Sequence, residues 1–332
     1  MDRWTPAMLA LALLGCSKGD GIEPRSGGTE MLSSWNDTLT RAAIIDFVES
    51  AALPGSDGYV PPAQRIAVFD NDGTLWSERP FYHQFFFALD RAERLAAEDP
   101  NWAATPTLKA AAAGDVDGVL ADGVPALLEV VNATHSGMTE AEFAKEIGAW
   151  IETARHPDTG RRFRDMTYVP MRELLDYLRS RGFKVYIVSG GGIDFIRAFA
   201  EDAYGVPPEN VIGSMGGAAY ELVDGKPAIV KGAAIDFLDD KGAKPIGIIR
   251  HIGRRPVFVG GNSDGDFEMA EWATAGDGPR MAIFVHHTDA EREFAYDREG
   301  GIGTLDRGLD EAAERGWILV DMAEDWRRVW PQ

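Results

Sequence analysis

At 332 residues, with 45% hydrophobic content, the chain has room for two domains of about 150 residues each and a core that needs no disulfide staple. Its 53 acidic residues outnumber 33 basic ones, for a net charge of −20, and no Lys/Arg run is long enough to track a nucleic-acid backbone. A nucleic-acid partner is therefore not expected, and a small ligand suits the acidic surface better than a polyanion.

Met1 to Gly15 holds Arg3 and an apolar stretch, Ala7–Leu14, that runs into Leu13-Leu14-Gly15-Cys16. The stretch is far too short to cross a bilayer as a helix. Residues 1–16 resemble a secretory signal with a bacterial lipobox, which implies cleavage and lipidation at Cys16. The protein would then sit in the cell envelope, facing the periplasm or exterior, with the lipid as its only membrane contact. Cys16 is the only cysteine, as export without structural disulfides requires. Residues 17–33, rich in Gly and Ser over Lys18–Glu30, read as a tether.

Ser34–Leu53 has the spacing of an amphipathic helix, with Asn36 or Asp37 as its cap, and Pro61-Pro62 breaks the chain before the first strand. Ile66–Trp76 then reads Ile-Ala-Val-Phe-Asp-Asn-Asp-Gly-Thr-Leu-Trp. An apolar strand places Asp70 and Asp72 at its carboxyl end, where open α/β sheets bind ligands, and Gly73 permits a sharp departure. Two carboxylates in one small volume call for a cation or a shared proton. Helical patterns follow over Tyr82–Ala97, Thr107–Ala113, Val124–Thr134 and Thr139–Ala154. The aromatic group Phe81, Tyr82, Phe85, Phe86 and Phe87 reads mainly as packing, with a pocket for an aromatic or quaternary-ammonium group as the sharper reading.

Pro170–Arg181 is a helix leading into Phe183–Gly192, a second apolar strand that ends in Ser189 and three glycines. A hydroxyl followed by closely approachable backbone suits a phosphoryl oxygen. Asp194–Tyr204 reads as a crossover helix, Val211–Ser214 as a short strand, and Ala218–Val230 as a hairpin turning at Asp224-Gly225. Pro256–Met269 is another apolar strand running into Gly260, Gly261, Asn262, Asp264 and Asp266. Strands at Val257–Val259, Met281–Val285 and Trp317–Val320 complete a doubly wound, parallel α/β sheet. There is no Gly-x-Ser-x-Gly elbow and no dinucleotide fingerprint.

Taken together, Asp70-x-Asp72-Gly-Thr, Ser189-Gly190 and the Gly261–Asp266 run resemble the motifs of the haloacid dehalogenase (HAD) superfamily, in particular its phosphoserine-phosphatase-like branch with a helical cap. The resemblance implies a Rossmann-like core of residues 34–76 and 168–332, and an inserted cap of residues 77–167. It implies Mg²⁺ held by Asp70, Asp72, Asn262 and Asp266. Asp70 would be the nucleophile, Asp72 the general acid and base, and Ser189, the Gly190 amide and Lys244 the phosphate binders. Lys244 is favoured because Lys-Pro-Ile-Gly-Ile suits a first helical turn ahead of the Pro256 strand, with Lys231 and then Lys241 as alternatives.

Asn262 stands where many such phosphatases have an aspartate, so Asp264 or Asp266 is left to restore the charge. Glu78 is a candidate for a substrate ammonium, but Phe143–Thr153 offers no counterpart of the family's cap arginine. His156, Arg161, Arg162 and Arg164 read as a solvated loop more than as a carboxylate site, and His286 and His287 as a strand end more than as contacts to the site. The expected function is an exported, Mg²⁺-dependent phosphatase acting on a small phosphorylated metabolite through an aspartyl-phosphate. The alternatives are a phosphotransferase or mutase, and a lipoprotein that binds phosphorylated ligands without turnover.

Overall fold

The computed structural model describes residues 31–299 and 301–331. Cys16, the stretch before it and the tether through residue 30 lie outside the described residues. Residues 31–33, expected to end the tether, belong instead to the folded body. Leu32 is buried in the core, and the Ser33 and Ser34 hydroxyls each donate to Glu173 at 2.9 Å.

Helix α1 (Leu39–Ala52) turns Ile44, Val48 and Ala51, at i, i+4 and i+7, toward the core. It starts later than the pattern suggests, because Trp35 is held in a bridge with Trp326. Its cap is consequently Thr38, whose hydroxyl accepts the Arg41 amide at 3.4 Å, in place of Asn36 or Asp37. Strand β1 (Ile66–Phe69) is buried throughout. Ala67 and Phe69 enter one apolar layer, Ile66 and Val68 the other, as a period of two demands of a strand covered on both faces.

Five helices follow: α2 (His83–Glu98), α3 (Pro106–Ala112), α4 (Val116–Leu120), α5 (Gly123–His135) and α6 (Glu140–Thr153). The chain then returns through α7 (Val169–Ser180) to β2 (Lys184–Gly192). Two short helices, α8 (Ile193–Arg197) and α9 (Ala200–Tyr204), replace the single expected one. The break falls at Phe199, whose ring stacks on Trp76 with centroids 4.6 Å apart. Next come β3 (Val211–Val223), β4 (Lys226–Phe237), α10 (Ala243–His251), β5 (Phe258–Gly261) and α11 (Phe267–Thr274). The remainder is β6 (Met281–His286), α12 (Arg307–Arg315), β7 (Ile318–Asp321) and α13 (Met322–Asp325).

The strand order is β4-β3-β2-β1-β5-β6-β7, parallel everywhere except between β3 and β4. This is the doubly wound sheet expected from the sequence. Its crossovers diverge on either side of β1, which makes the carboxyl ends of β1, β2 and β5 the natural binding crevice. Asp70, Ser189 and Asn262 stand there. Helices α1 and α7 contribute to one apolar layer, and α10, α11 and α12 to the other.

β3 and β4 are far longer than the short strand and hairpin read from the pattern. Asp224 (φ 50°) and Gly225 (φ 76°) make the two-residue turn, and the arm runs on to meet the inserted helices. There the Gly137 amide donates to the Lys231 carbonyl, and the Lys231 amide to the Met138 carbonyl, both at 2.8 Å. The inserted helices have a small core of their own, around Phe85, Leu89, Leu108, Val119 and Val130. Phe87, Phe143 and Trp150 instead join the main core beside the sheet.

A second seam links the insert to β2. The Gly192 amide donates to Gln84 Oε1 at 2.8 Å, and Gln84 Nε2 lies 3.2 Å from His135 Nε2. The Thr134 hydroxyl gives its proton to the Val130 carbonyl (2.7 Å), so His135 Nδ1, 2.8 Å away, donates to Thr134 and leaves Nε2 to accept from Gln84. Burial, with Lys231 and Arg91 nearby, pushes the His135 imidazole down to about 3.

Two outcomes are expected. A methyl group on Gly260 would lie 2.4 Å from the Phe69 ring, so Gly260→Ala should lower stability by about 1–3 kcal/mol in urea unfolding. Since the unfolded chain protonates His135 near pH 6.5 and the folded chain only near 3, its contribution is present above pH 6.5 and lost progressively as pH falls through that window. By pH 5 the loss should reach about 2 kcal/mol, and His135→Gln should remove that part of the pH dependence when unfolding midpoints at pH 7 and pH 5 are compared.

Candidate active site

The loop after β1 is fixed by backbone contacts. The Asp70 amide donates to the Gly260 carbonyl at 2.9 Å, and the Gly73 amide to the Trp76 carbonyl at 2.8 Å. Gly73 has φ +74°, and a Cβ there would stand 2.1 Å from Asn262 Nδ2 and 2.4 Å from Glu78 Oε1. Only glycine satisfies both the dihedral and the space.

Lys244, in the first turn of α10, reaches the same spot from the other side of the crevice. It is buried, and its Nζ donates to Asp70 Oδ1 at 2.8 Å and Asp266 Oδ1 at 2.5 Å. Burial alone would pull the ammonium's pKa down, but the Asp266 and Asp70 carboxylates outweigh it and push it up. Burial, together with Asp266, drives the Asp70 carboxyl up, against the pull of Lys244. Asp72 is also raised by burial, opposed by Trp76, whose indole N–H donates to Asp72 Oδ1 at 2.8 Å. Ser189 Oγ accepts the Gly191 amide at 3.1 Å, leaving its hydroxyl proton for a ligand.

The three oxygen candidates after β5 are sharply distinguished. Asp264 is turned away, accepting the amides of Asp306, Arg307 and Gly308 at 2.8–3.1 Å as the cap of α12. Asp266 uses its second oxygen to accept the Asn262 and Ser263 amides at 3.0 and 3.2 Å, so both of its oxygens are occupied in fixing Lys244 and the loop. Asn262 accepts the Thr74 hydroxyl at 3.1 Å and donates from Nδ2 to Glu78 Oε1 at 2.7 Å. Glu78 therefore sets a carboxyl directly against the amide that replaces the usual aspartate. Tyr296 donates to the same Glu78 oxygen at 2.8 Å, and burial pushes Glu78 up to about 7.

Among the described residues, no three His, Cys, Asp or Glu side chains converge as a ready metal cage. Asp266, expected among the Mg²⁺ ligands, has both oxygens engaged by Lys244 and the loop amides, so the hard oxygen donors that would be left for Mg²⁺ with several waters are the Asp70 carboxylate, the Asp72 carbonyl and the Asn262 amide oxygen.

Sequence reasoning missed the support behind this loop. His287 sits under Gly73, with Nε2 2.8 Å from the Gly73 carbonyl and Nδ1 3.2 Å from Glu293. Glu293 also accepts from Ser77 (2.8 Å), Tyr168 (2.9 Å) and the Phe294 amide (2.7 Å). Burial would raise Glu293, but His287 and these donors outweigh it and hold it below the usual range. The expectation that the histidines merely end a strand therefore fails for His287, while His286 lies 3.6 Å from Asp297 near the surface. The only available signal was a histidine at the carboxyl end of a strand.

The other candidates lie apart from the acid pair. Lys231 is paired with Asp194 and lies 4.6 Å from the centroid of the Phe143 ring, and Lys241 is exposed. Arg162 and Arg164 pair with Asp165 and Glu152, and His156 Nε2 lies 2.6 Å from the Arg79 carbonyl. A cavity of about 330 Å³ opens over Asp70, Asp72, Ser189, Gly190 and Lys244, with Glu78 in its wall. Its roof comes from α2, α5 and α6, and one side from β4.

A family model for haloacid dehalogenase-like hydrolases matches residues 67–271, the span from β1 to α11. No curated protein matches the chain. Among solved structures, a conserved protein of unknown function from Anaerococcus prevotii DSM 20548 superposes with TM-score 0.54 at 16% identity, over 84% of this chain and 91% of that one. A protein of unknown function from Bordetella pertussis Tohama I gives TM-score 0.49 at 17% identity, over 78% and 99%. A substrate-bound phosphoserine phosphatase gives 0.36 at 17%, over 76% and 97%. The first of these shows a shared fold. The family match spans the strand ends that carry Asp70, Ser189 and Asn262 and the helix that carries Lys244, and the chain belongs to the haloacid dehalogenase-like hydrolases.

Proposed function

We propose that the protein is a Mg²⁺-dependent phosphatase that hydrolyses small phosphomonoesters through an aspartyl-phosphate. One observation carries the reading: the buried Lys244 ammonium binds Asp70 directly, at the end of a cavity that also exposes Asp72 and Ser189. Asp70, Asp72 through its carbonyl, and Asn262 would hold Mg²⁺, which when bound neutralises charge on the phosphoryl oxygens and on Asp70. Asp70 attacks phosphorus, forming the acyl-phosphate bond as the ester P–O bond breaks. Asp72, whose pKa burial raises, would give a proton to the departing alcohol oxygen, and as a carboxylate then take one from the attacking water. Ser189 and Lys244 hold the phosphoryl oxygens in place through both steps, since such transfer depends mainly on positioning and electrostatics.

Export as a Cys16 lipoprotein belongs to the same proposal and is supported by the Leu13-Leu14-Gly15-Cys16 sequence. Among the described residues no helix is long and apolar enough to cross a membrane.

Phosphate release from a panel of phosphomonoesters should require Mg²⁺ and stop with EDTA. Asp70→Asn should lose at least about 10³-fold in kcat while keeping its circular-dichroism spectrum, and retained turnover would overturn the mechanism. In cells, Cys16→Ser should move the protein from the membrane fraction to the soluble fraction. An unchanged distribution would refute the lipid anchor.

A further inference from the structure

Resting on the phosphatase reading, the geometry points to a substrate class: esters whose alcohol is an uncharged, apolar group of aryl or medium alkyl size. The part of the cavity beyond the acid pair is walled by Leu127, Leu128 and Val131 of α5, Phe143 of α6, Phe195 of α8 and Ile235 of β4. The α5 side chains fall at i, i+1 and i+4, a single stripe of that helix, and all three remain partly exposed. Apolar side chains left open along one wall of an enclosed space favour an apolar occupant.

The charges of the lining argue against an anionic alcohol. The cavity is lined by two ammonium groups, Lys244 and Lys231, and by His135, with no arginine among the described residues. Lys244 is held by Asp70 and Asp266, and Lys231 by Asp194 and the Phe143 ring. His135 donates to Thr134 and accepts from Gln84, the arrangement of a neutral ring. Among the described residues of the lining no cation is left without a partner to receive a substrate carboxylate, and Asp240, together with Glu78 when ionised, repels one. A carboxylate-bearing alcohol such as serine would therefore be desolvated without a partner. A polyhydroxylated alcohol would leave its hydroxyls facing Leu128, Val131 and Ile235.

The test is phosphate release from n-alkyl phosphates of one to six carbons, phenyl phosphate, phosphoserine, phosphorylcholine and glycerol phosphate. In parallel, calorimetry follows binding of the matching alkylphosphonates to the wild-type protein. The expected result is that kcat/KM and phosphonate affinity both rise by roughly fourfold per methylene until the chamber is full. A flat chain-length dependence, or a preference for phosphoserine, phosphorylcholine or glycerol phosphate, overturns the inference and leaves the phosphatase reading intact. Absence of hydrolysis with affinity still rising along the phosphonates upholds the chamber and overturns the phosphatase reading. Leu128→Arg, at a half-buried position, should shift the hexyl phosphate to phosphoserine preference at least tenfold toward phosphoserine, and an unchanged ratio would count against the chamber.

Discussion

A single buried ammonium between two carboxylates organises this molecule. Lys244 ties the first turn of α10 to the end of β1 through Asp70 and to the loop after β5 through Asp266. Three segments distant in sequence thereby share one electrostatic knot at the sheet's topological switch. The knot is not neutral, since two carboxylates against one ammonium leave one negative charge, in a place where burial already disfavours charge. That residual charge calls for a cation or a proton, and each has a use in phosphoryl chemistry.

The rest of the site compensates for what the knot leaves open. Asn262 brings an oxygen without a charge, and Glu78 sits against it with a carboxyl whose own pKa has been lifted to about 7. Near neutrality this adjacent charge is therefore adjustable. His287 and Glu293 brace the Gly73 carbonyl from behind, so the backbone that carries Asp72 is held on both sides.

Much of this was legible in the sequence because the motifs are local. Ile66–Trp76 announces a buried strand and an acid pair within eleven residues, and Ser189 and Asn262 likewise follow their own strands directly. Alternating strand and helix patterns were enough for a doubly wound sheet. What escaped was long-range or shared between elements. Glu78 is 184 residues from Asn262, and His287 is 214 from Gly73, separations that no periodicity reports. Motif position favours Asp266 over Asp264 as a metal ligand, yet one caps α12 and the other holds Lys244, because only the fold decides which way each carboxylate turns. The β3–β4 arm outran its pattern for a similar reason, since its partner is the inserted layer and not the next strand.

That arm has a further consequence. Because the segment at 137–139 is joined to Lys231 by main-chain hydrogen bonds, the roof over the cavity is an extension of the sheet more than a separate hinged body. The cavity wall formed by α5 and β4 is thereby tied to the sheet through its backbone. Divergence in selectivity among relatives that keep this ladder would then proceed by exchanging side chains on α5 and β4, one position at a time, with the backbone frame left unchanged.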